Sequence, residues 1–186
     1  MKLNELIQLE GKRIEKAKGE HVFMQGDADK SFYHVESGLL KAYYTSEEGR
    51  ESIKSFLLPG DSIGSMTSAF SEENCSFSLV CLESASLNMI PFETLQEYSR
   101  NDLELANMVI GLLIHLAMKK EKREYEFLCL SAEERFCRLA ELTPALLEKV
   151  TQNDLARYLG LTPVGLSRIK KRVHNKGFQG TLNVPR

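Results

Sequence analysis

The chain has 186 residues, of which 42% are hydrophobic and 27% are charged. This composition is ordinary for a globular protein and excludes wholesale disorder. The longest apolar stretch, residues 108–118, is much shorter than the roughly 20 residues that cross a membrane. The first residues also do not form the apolar core of a signal peptide. We therefore expect a cytoplasmic protein of one or two domains, with no membrane partner.

The charge is distributed unevenly along the chain. Residues 151–186 contain seven Lys or Arg residues and one acidic residue, a net charge of +6, so the rest of the chain carries −8. A basic module joined to an acidic body is typical of a nucleic-acid-binding domain joined to a sensor. A solvated basic tail would have the same charge, so the prediction depends on the pattern inside this segment.

The cysteines do not form a recognisable redox or metal motif. None of the C-x-x-C spacings of a zinc ribbon or a thioredoxin-like pair occurs among Cys75, Cys81, Cys129 and Cys137. Structural disulfides are also rare in the cytosol. We therefore expect reduced and partly buried thiols.

Residues 19–90 contain short segments rich in aromatic and β-branched residues, separated by turn signals. The segments are residues 32–35, 39–45, 53–58 and 77–82. The turn signals are Gly26-Asp27, Ser37-Gly38, Glu48-Gly49 and Pro59-Gly60-Asp61. Short strands with this regular punctuation predict an antiparallel sandwich or barrel.

After Pro91 the pattern becomes that of one long helix, from about residue 102 to residue 127. Apolar side chains recur in it at heptad-like spacing, namely Leu105, Val109, Leu112 and Leu116. A helix of about 25 residues is about 38 Å long, more than a small β-domain needs to cover its core. We expect this row to form the seam of a homodimer. The alternative is a helix that only packs against the core of its own chain.

Local signals predict the helices that follow. Ser131 and Glu134 have the spacing of a capping box, and Thr143-Pro144 ends the helix that this box begins. Residues 145–149 form a short helical piece before the last motif.

Residues 152–171 have the pattern of a helix-turn-helix. Thr151 and Asp154 predict the start of its first helix, and Gly160 supplies the positive φ at which that helix ends. Thr162-Pro163 begins the second helix, since a proline at the first position has no backbone N–H to lose. The buried row of this second helix is Leu166, Ile169 and Val173.

The second helix is basic, as expected of a recognition helix in the major groove. We expect DNA contacts from Thr162, Pro163, Val164, Ser167, Arg168, Lys170, Lys171 and Arg172. Arg168 can form a bidentate contact with guanine, whereas Lys170 and Arg172 suit phosphates. We therefore predict binding to double-stranded DNA at a palindromic operator. A helix pair with a purely structural role is the alternative.

Three further motifs indicate a known family: Gly19-Glu20-x-Val22-Phe23-x-Gln25-Gly26-Asp27, Tyr33-x-Val35-x-Ser37-Gly38 and Pro59-Gly60-Asp61-x-Ile63-Gly64. They resemble the cyclic-nucleotide-binding β-roll. With the helix-turn-helix, about residues 5–178 resemble the CRP/FNR family of bacterial transcription regulators. The segment Leu159-Gly160-Leu161-Thr162-Pro163, followed by Leu166-Ser167-Arg168-Ile169, resembles the Bacteroidetes-type branch of that family.

This resemblance implies an α+β fold in three parts. An antiparallel β-roll sensor (a double-stranded β-helix) would occupy residues 1–100 and a dimerisation helix residues 101–129. A winged-type helix-turn-helix domain would occupy residues 130–186, where residues 177–186 leave room for only a short wing. The resemblance also implies RNA polymerase as a partner and no enzymatic activity.

The resemblance places an effector pocket at Gly64, Ser65, Met66, Cys75 and Ser76. Family members that bind cyclic AMP have a Glu for the ribose and an Arg for the phosphate where this chain has Ser65 and Cys75. A buried phosphate without a cation has a large desolvation penalty, so we do not expect cyclic AMP as the effector. FNR-type members hold an iron–sulfur cluster on N-terminal cysteines. No cysteine precedes Cys75, so we do not expect that cluster.

Three other interpretations were weighed against these patterns. A cupin-like metalloenzyme needs a His-x-His pair with a Glu and a further His, whereas His21 and His34 have no such partner. Haem-binding family members use one histidine, which leaves His21, His34 and His115 as candidates, although a lone histidine is usually structural. A sensor or adaptor that works through protein partners would not need the basic recognition helix.

Overall fold

The computed structural model describes residues 2–175 of the chain. They divide into two compact units, the N-terminal unit Met1–Leu116 and the C-terminal unit Ala117–Arg186. The boundary falls inside one long helix. The predicted wing, residues 177–186, lies outside the described residues, and the division into 1–100, 101–129 and 130–186 stays a prediction.

The N-terminal unit contains two antiparallel sheets preceded by helix α1, Leu3–Glu10. Its strands in chain order are β1 Lys12–Lys16, β2 His21–Phe23, β3 Ser31–Ser37, β4 Leu40–Thr45, β5 Glu51–Leu57, β6 Ser62–Gly64, β7 Ser78–Cys81 and β8 Ala85–Pro91. A short helix, α2 Met66–Phe70, lies between β6 and β7. The strand orders are β1-β8-β3-β6 and β2-β7-β4-β5. The α+β fold and the antiparallel β-roll expected from the sequence are confirmed.

One strand of the first sheet has no signal of its own in the sequence. β1 is largely exposed and mostly charged, and it becomes a strand because it pairs with β8, for example Ile14 opposite Leu87. β8 pairs on its other edge with β3, where Met89 is opposite Tyr33. A polar segment of this kind adopts a strand conformation only because a partner strand supplies its hydrogen bonds.

The core of the β-roll is filled by side chains from both sheets. Its fully buried members include Leu40, Leu79 and Leu87. Aromatic rings also occupy it, since Phe23 lies 5.2 Å from Phe77 and 5.8 Å from Tyr33, centroid to centroid. These rings leave the space between the sheets closely packed near Cys75, which belongs to the same cluster.

The long helix is α4, Leu103–Cys129, and it follows a separate helix, α3 Phe92–Asn101, that the sequence analysis did not predict. At its N-terminal end the predicted dimer seam on α4 packs on the core of its own chain, and the seam itself stays a prediction. Leu105 has no exposed surface and belongs to a core cluster of its own chain, in which Val109 and Leu112 also pack. Leu6, Phe32, Ile90, Phe92 and Leu95 form the rest of this cluster. Leu116 is half-buried.

The apolar residues that α4 exposes lie on a different face. Helical spacing puts Ile110, Ile114 and Met118 on nearly the opposite side of the helix from Leu105, with Leu113 at the edge of this face nearer to Val109. Ile114 is 55% exposed and Met118 62% exposed. Heptad-like spacing therefore does not by itself identify the partner of the row, because a row that packs on its own domain has the same period as a dimer seam.

The C-terminal unit continues with four shorter helices. They are α5 Ala132–Leu142, α6 Pro144–Lys149, α7 Gln152–Leu159 and α8 Pro163–Asn175. The capping box of α5 is present as predicted, because the backbone amide of Ser131 donates to Glu134 Oε2 at 2.8 Å and Glu134 N donates to Ser131 Oγ at 3.3 Å. The hydrogen bonds from Ser131 also lower the pKa of Glu134. The core includes the fully buried Phe136, Leu147 and Leu155.

Two kinds of feature do not occur among residues 2–175. No helix among them is long and apolar enough to span a membrane. These residues also contain no group of three or more His, Cys, Asp or Glu side chains arranged to hold a metal ion.

Candidate nucleic-acid interface

The first helix of the predicted motif begins at a side-chain cap. Thr151 Oγ1 accepts a hydrogen bond from the backbone amide of Asp154 at 3.1 Å, and its hydroxyl donates to Asp154 Oδ2 at 2.9 Å. One of the free amides at the helix start is thereby satisfied. Leu155 and Leu159 are buried, so α7 has the orientation that its sequence predicts.

Gly160 ends α7 in the left-handed conformation, with φ of +70°. The backbone amide of Leu161 donates to Ala156 O at 2.8 Å, which closes the last turn. A Cβ atom on Gly160 would lie only 2.9 Å from Cε1 of Phe127. The left-handed backbone therefore favours a glycine, and a larger residue would also push the ring of Phe127 aside.

Thr162 caps helix α8, since its Oγ1 accepts a hydrogen bond from Gly165 N at 3.1 Å. Leu166, Ile169 and Val173 are buried, as predicted. The opposite face is open to solvent, since Val164 is 62% exposed and Arg168 is also exposed. α8 thus buries one row against the unit and presents the other, as a helix that enters a DNA groove must.

The expected DNA-contacting residues fall into two groups, an exposed group and the half-buried Lys170. One group is exposed and consists of Thr162, Pro163, Val164, Arg168, Lys171 and Arg172, with Ser167 half-buried beside them. The exposed Arg172 nevertheless contacts a neighbouring helix, because its Nη1 lies 3.2 Å from Glu133 Oε2 of α5. That the residues of the exposed group contact DNA stays a prediction.

Lys170 differs from the other basic residues of α8. It is half-buried, and its Nζ donates to Gln152 Oε1 of α7 at 3.4 Å. Burial lowers the pKa of this amine. Lys170 therefore packs against the first turn of α7, and Lys171 is the better candidate for a phosphate contact.

Three residues near this motif were missed in the sequence analysis. Arg123 and Phe127 lie in the last turns of α4, and Arg135 lies in the first turn of α5. Arg123 Nη2 donates to Tyr158 O at 2.9 Å, and Arg135 Nη2 donates to Leu159 O at 3.2 Å. No periodicity or spacing marks such side-chain contacts with backbone carbonyls, so the sequence held no signal for them.

The residues of the expected effector pocket have varied surroundings. Ser65 is buried and caps α2, because its Oγ accepts a hydrogen bond from Ser68 N at 3.3 Å. Cys75 is buried, and its Sγ lies 3.6 Å from Asp29 O. Gly64 lies against the ring of Phe92, whereas Met66 and Ser76 are exposed. Whether they bind an effector stays a prediction.

A cation near this segment is Lys54 of β5. Its Nζ lies 4.1 Å from the centroid of the Phe77 ring, two residues after Cys75. The neighbouring hydroxyl of Tyr33 donates to Asp29 Oδ2 at 2.7 Å, and burial raises the pKa of Tyr33. This region therefore combines the buried Cys75 and Tyr33 with the carboxylate of Asp29 and the amine of Lys54.

The histidines and cysteines have ordinary contacts. His21 Nε2 lies 2.9 Å from Tyr43 Oη, and His34 Nδ1 lies 3.0 Å from Ser62 Oγ. Cys75 and Cys81 are buried, Cys129 is exposed and Cys137 is half-buried, all as free cysteines. Burial raises the pKa of Cys81 to about 11, which keeps its thiol protonated at neutral pH.

Comparison with known proteins identifies the family. Residues 13–102 match the family described as cyclic nucleotide-binding domain. The chain is 33% identical, over 178 residues, to the fumarate and nitrate reduction regulatory protein of Shigella dysenteriae, with 87% of this chain and 68% of that protein aligned.

Solved structures show the same fold. FixK2 from Bradyrhizobium japonicum superposes with a TM-score of 0.77 at 20% identity, over 90% of this chain and 86% of that one. A protein of Eubacterium rectale assigned to the crp/fnr family of transcriptional regulators superposes with a TM-score of 0.71 at 20% identity, over 93% of this chain and 82% of that one. The presence of the β-roll and the helix-turn-helix on the same chain agrees with these matches. The chain belongs to the CRP/FNR family of transcription regulators.

Proposed function

We propose that this chain is a cytoplasmic, homodimeric regulator that binds double-stranded DNA sequence-specifically through α8 and has no enzymatic activity. The observation that carries the proposal is the division of α8 into two faces. Leu166, Ile169 and Val173 anchor one face in the unit, while Val164 and Arg168 stand exposed on the other.

The exposed face combines the two kinds of contact that DNA recognition requires. Arg168 offers the planar fork that binds guanine O6 and N7, and Val164 offers an apolar contact for a thymine methyl group. Lys171 lies next to them and supplies charge for phosphates. We assign base contacts to Val164 and Arg168, and phosphate contact to Lys171.

The proposed dimer uses the exposed apolar face of α4, which is formed by Ile110, Leu113, Ile114 and Met118. Its occupant is the same face of a second copy, because a single helix-turn-helix contacts too few base pairs to select a site. A two-fold axis would then present two recognition helices to the two halves of a palindromic operator. This face replaces the predicted seam, which packs on its own core at Leu105.

The role of the β-roll in the proposal is that of a sensor for an effector other than cyclic AMP. The two positions that would need a carboxylate and a guanidinium hold Ser65 and Cys75, both buried and neutral. RNA polymerase is the proposed protein partner on the operator. The Bacteroidetes-type branch stays a prediction from the sequence.

DNA binding can be tested with duplexes selected from a random pool by the wild-type chain. We expect Arg168→Ala to lose about 1–3 kcal/mol on the selected duplex and to relax specificity at one base pair. Lys171→Ala should weaken binding to the selected duplex and to the unselected pool alike. It should also reduce the slope of log K against log salt concentration by about one.

Lys18→Ala provides the matched control, since Lys18 is an exposed lysine of the N-terminal unit. It should leave affinity and salt slope unchanged. Wild-type affinity that does not change between about 50 mM and about 200 mM salt would contradict the proposal, because phosphate contacts release counterions.

A further inference from the structure

Three side chains of the C-terminal unit meet at the turn of the helix-turn-helix. Arg123 and Phe127 come from the end of α4, and Arg135 comes from the first turn of α5. We call these three residues the arginine clamp. They lie within the C-terminal unit but outside the two helices of the DNA-binding motif.

The clamp binds backbone carbonyls at the C-terminal end of α7. Arg123 Nη2 donates to Tyr158 O at 2.9 Å, and Arg135 Nη2 donates to Leu159 O at 3.2 Å. The last carbonyls of a helix have no partner within it, and they carry the negative end of its dipole. Two guanidinium groups therefore satisfy the helix end that leads directly into the turn.

Arg135 also joins this turn to the end of α4. Its Nη1 donates to Leu130 O at 2.7 Å, one residue after α4 ends. A single planar guanidinium thus holds the carbonyl that follows α4 and the carbonyl that ends α7. The ends of α4 and α7 cannot separate unless one of these hydrogen bonds breaks.

Phe127 forms the apolar part of the clamp. The guanidinium carbons of Arg123 and Arg135 each lie 4.8 Å from the centroid of its ring, within the range of cation–π attraction. The same ring lies against Gly160, where a Cβ atom would come within 2.9 Å of Cε1. The ring therefore sets how closely the turn can approach α4.

We infer that Arg123, Phe127 and Arg135 are positioning residues for DNA recognition, which fix the angle at which α8 leaves the turn after Gly160. This inference rests on the proposed DNA-binding function. The clamp acts through Tyr158, Leu159 and Gly160 and does not itself touch DNA. A rotation of the end of α4 would be transmitted through it to the recognition helix.

Lysine cannot replace arginine in this arrangement. Arg135 donates two hydrogen bonds in fixed directions from one plane and also lies near an aromatic ring. A lysine ammonium is a point charge on a flexible chain and lacks both the fork and the flat face. Arg135→Lys and Arg123→Lys therefore keep the charge but remove the geometry.

The test compares these variants, in the full-length chain, with Arg138→Lys. Arg138 lies on the same helix as Arg135 and pairs with Glu126 at 3.2 Å, away from the carbonyls of α7. The probes are a duplex selected by the wild-type chain from a random pool and the unselected pool. Hydrogen exchange at the amides of Gly160 and Leu161 gives a readout without DNA.

We expect Arg135→Lys and Arg123→Lys to bind the selected duplex about fivefold to tenfold more weakly, the effect of about one lost hydrogen bond. Affinity for the unselected pool and the salt slope should stay at the wild-type values, because no phosphate contact is lost. The amides of Gly160 and Leu161 should exchange faster. Phe127→Leu should give the same pattern, and Arg138→Lys should match the wild type in every measurement.

Two results would overturn the inference. One is an Arg135→Lys variant with wild-type affinity and wild-type exchange at the turn. The other is a salt slope reduced by about one, which would make the arginine a direct phosphate contact. A wild-type chain that binds neither probe would instead contradict the proposed function. The exchange rates at Gly160 and Leu161 would then still decide whether the clamp holds the turn.

Discussion

The two units reach their structures by different routes. In the C-terminal unit three helices begin at a residue that caps them from a few positions away, since Ser131 caps α5, Thr151 caps α7 and Thr162 caps α8. In the N-terminal unit several pairings are distant in sequence, so that β1 at residues 12–16 lies against β8 at residues 85–91.

This difference has a consequence for function. Local signals place the recognition face of α8, because a cap, a left-handed glycine and a row of apolar residues act within a few turns. Contacts between residues that are far apart in sequence determine which side chains of the N-terminal unit are exposed, including which side of α4 faces its own core. The following experiments test how far this separation holds.

The largest expected effect comes from placing a charge on either face of α4. Leu105→Glu should lower the free energy of unfolding by about 3 kcal/mol or more, because it removes a buried leucine and buries a carboxylate. Ile114→Glu should leave the free energy of unfolding of the monomer nearly unchanged but convert the dimer to monomers. Denaturant unfolding and light scattering on both variants distinguish these outcomes.

Each variant is the control for the other, since both put a glutamate on the same helix. An Ile114→Glu chain that remains dimeric and binds DNA normally would remove the exposed face of α4 from the interface. A Leu105→Glu chain that folds normally but is monomeric would restore the seam predicted from the sequence.

The next effect concerns the glycine that ends α7. Gly160→Ala should lower the free energy of unfolding of the C-terminal unit by about 1–2 kcal/mol for the left-handed backbone alone. The loss should be greater because Phe127 must also move. Denaturant unfolding monitored by circular dichroism measures this loss.

Gly19→Ala is the comparison in the N-terminal unit. Gly19 has φ of +86°, and a Cβ atom there would meet nothing within 4 Å. Gly19→Ala should therefore lower the free energy of unfolding only through the left-handed backbone, without a steric clash. Equal losses for the two substitutions would mean that the ring of Phe127 does not confine the turn, which would also weaken the inference about the clamp.

The smallest expected effect is the response to cyclic AMP. Titration calorimetry should detect no binding at micromolar concentrations, since the buried Ser65 and Cys75 offer no charge to the ribose or the phosphate. A clear micromolar affinity would show that the effector pocket lies elsewhere or that another cation binds the phosphate. Loss of that affinity in Lys54→Ala would identify the lysine beside Phe77 as the cation.

Several features of the fold could be predicted from the sequence because neighbouring residues specify them. The box at Ser131 and Glu134 and the turn at Gly160 occur as predicted. The strands predicted near residues 32–35, 39–45, 53–58 and 77–82 are also present. By contrast β1, β8, α1 and α3 were not predicted, because their patterns are short or polar and gain stability only from their partners.

The candidate site divides in the same way. The exposed position of Arg168 follows from the buried row on its own helix, so sequence spacing was sufficient. Lys170 has the same charge but lies two residues further along, on another side of the helix, where it packs against Gln152. Spacing gives the direction of a side chain but does not tell whether a neighbouring helix occupies that direction.

The sequence by itself determined where α5 and α7 begin and end, where α8 begins, and which side of α8 is buried. Those properties depend on caps, a glycine and a period of 3.6 residues, all of which act within a few turns. Only the tertiary structure decided that Leu105, Val109 and Leu112 face their own core and that Arg123 and Arg135 hold the end of α7. Periodicity describes one helix at a time, whereas the partner of each face depends on residues far away in the chain.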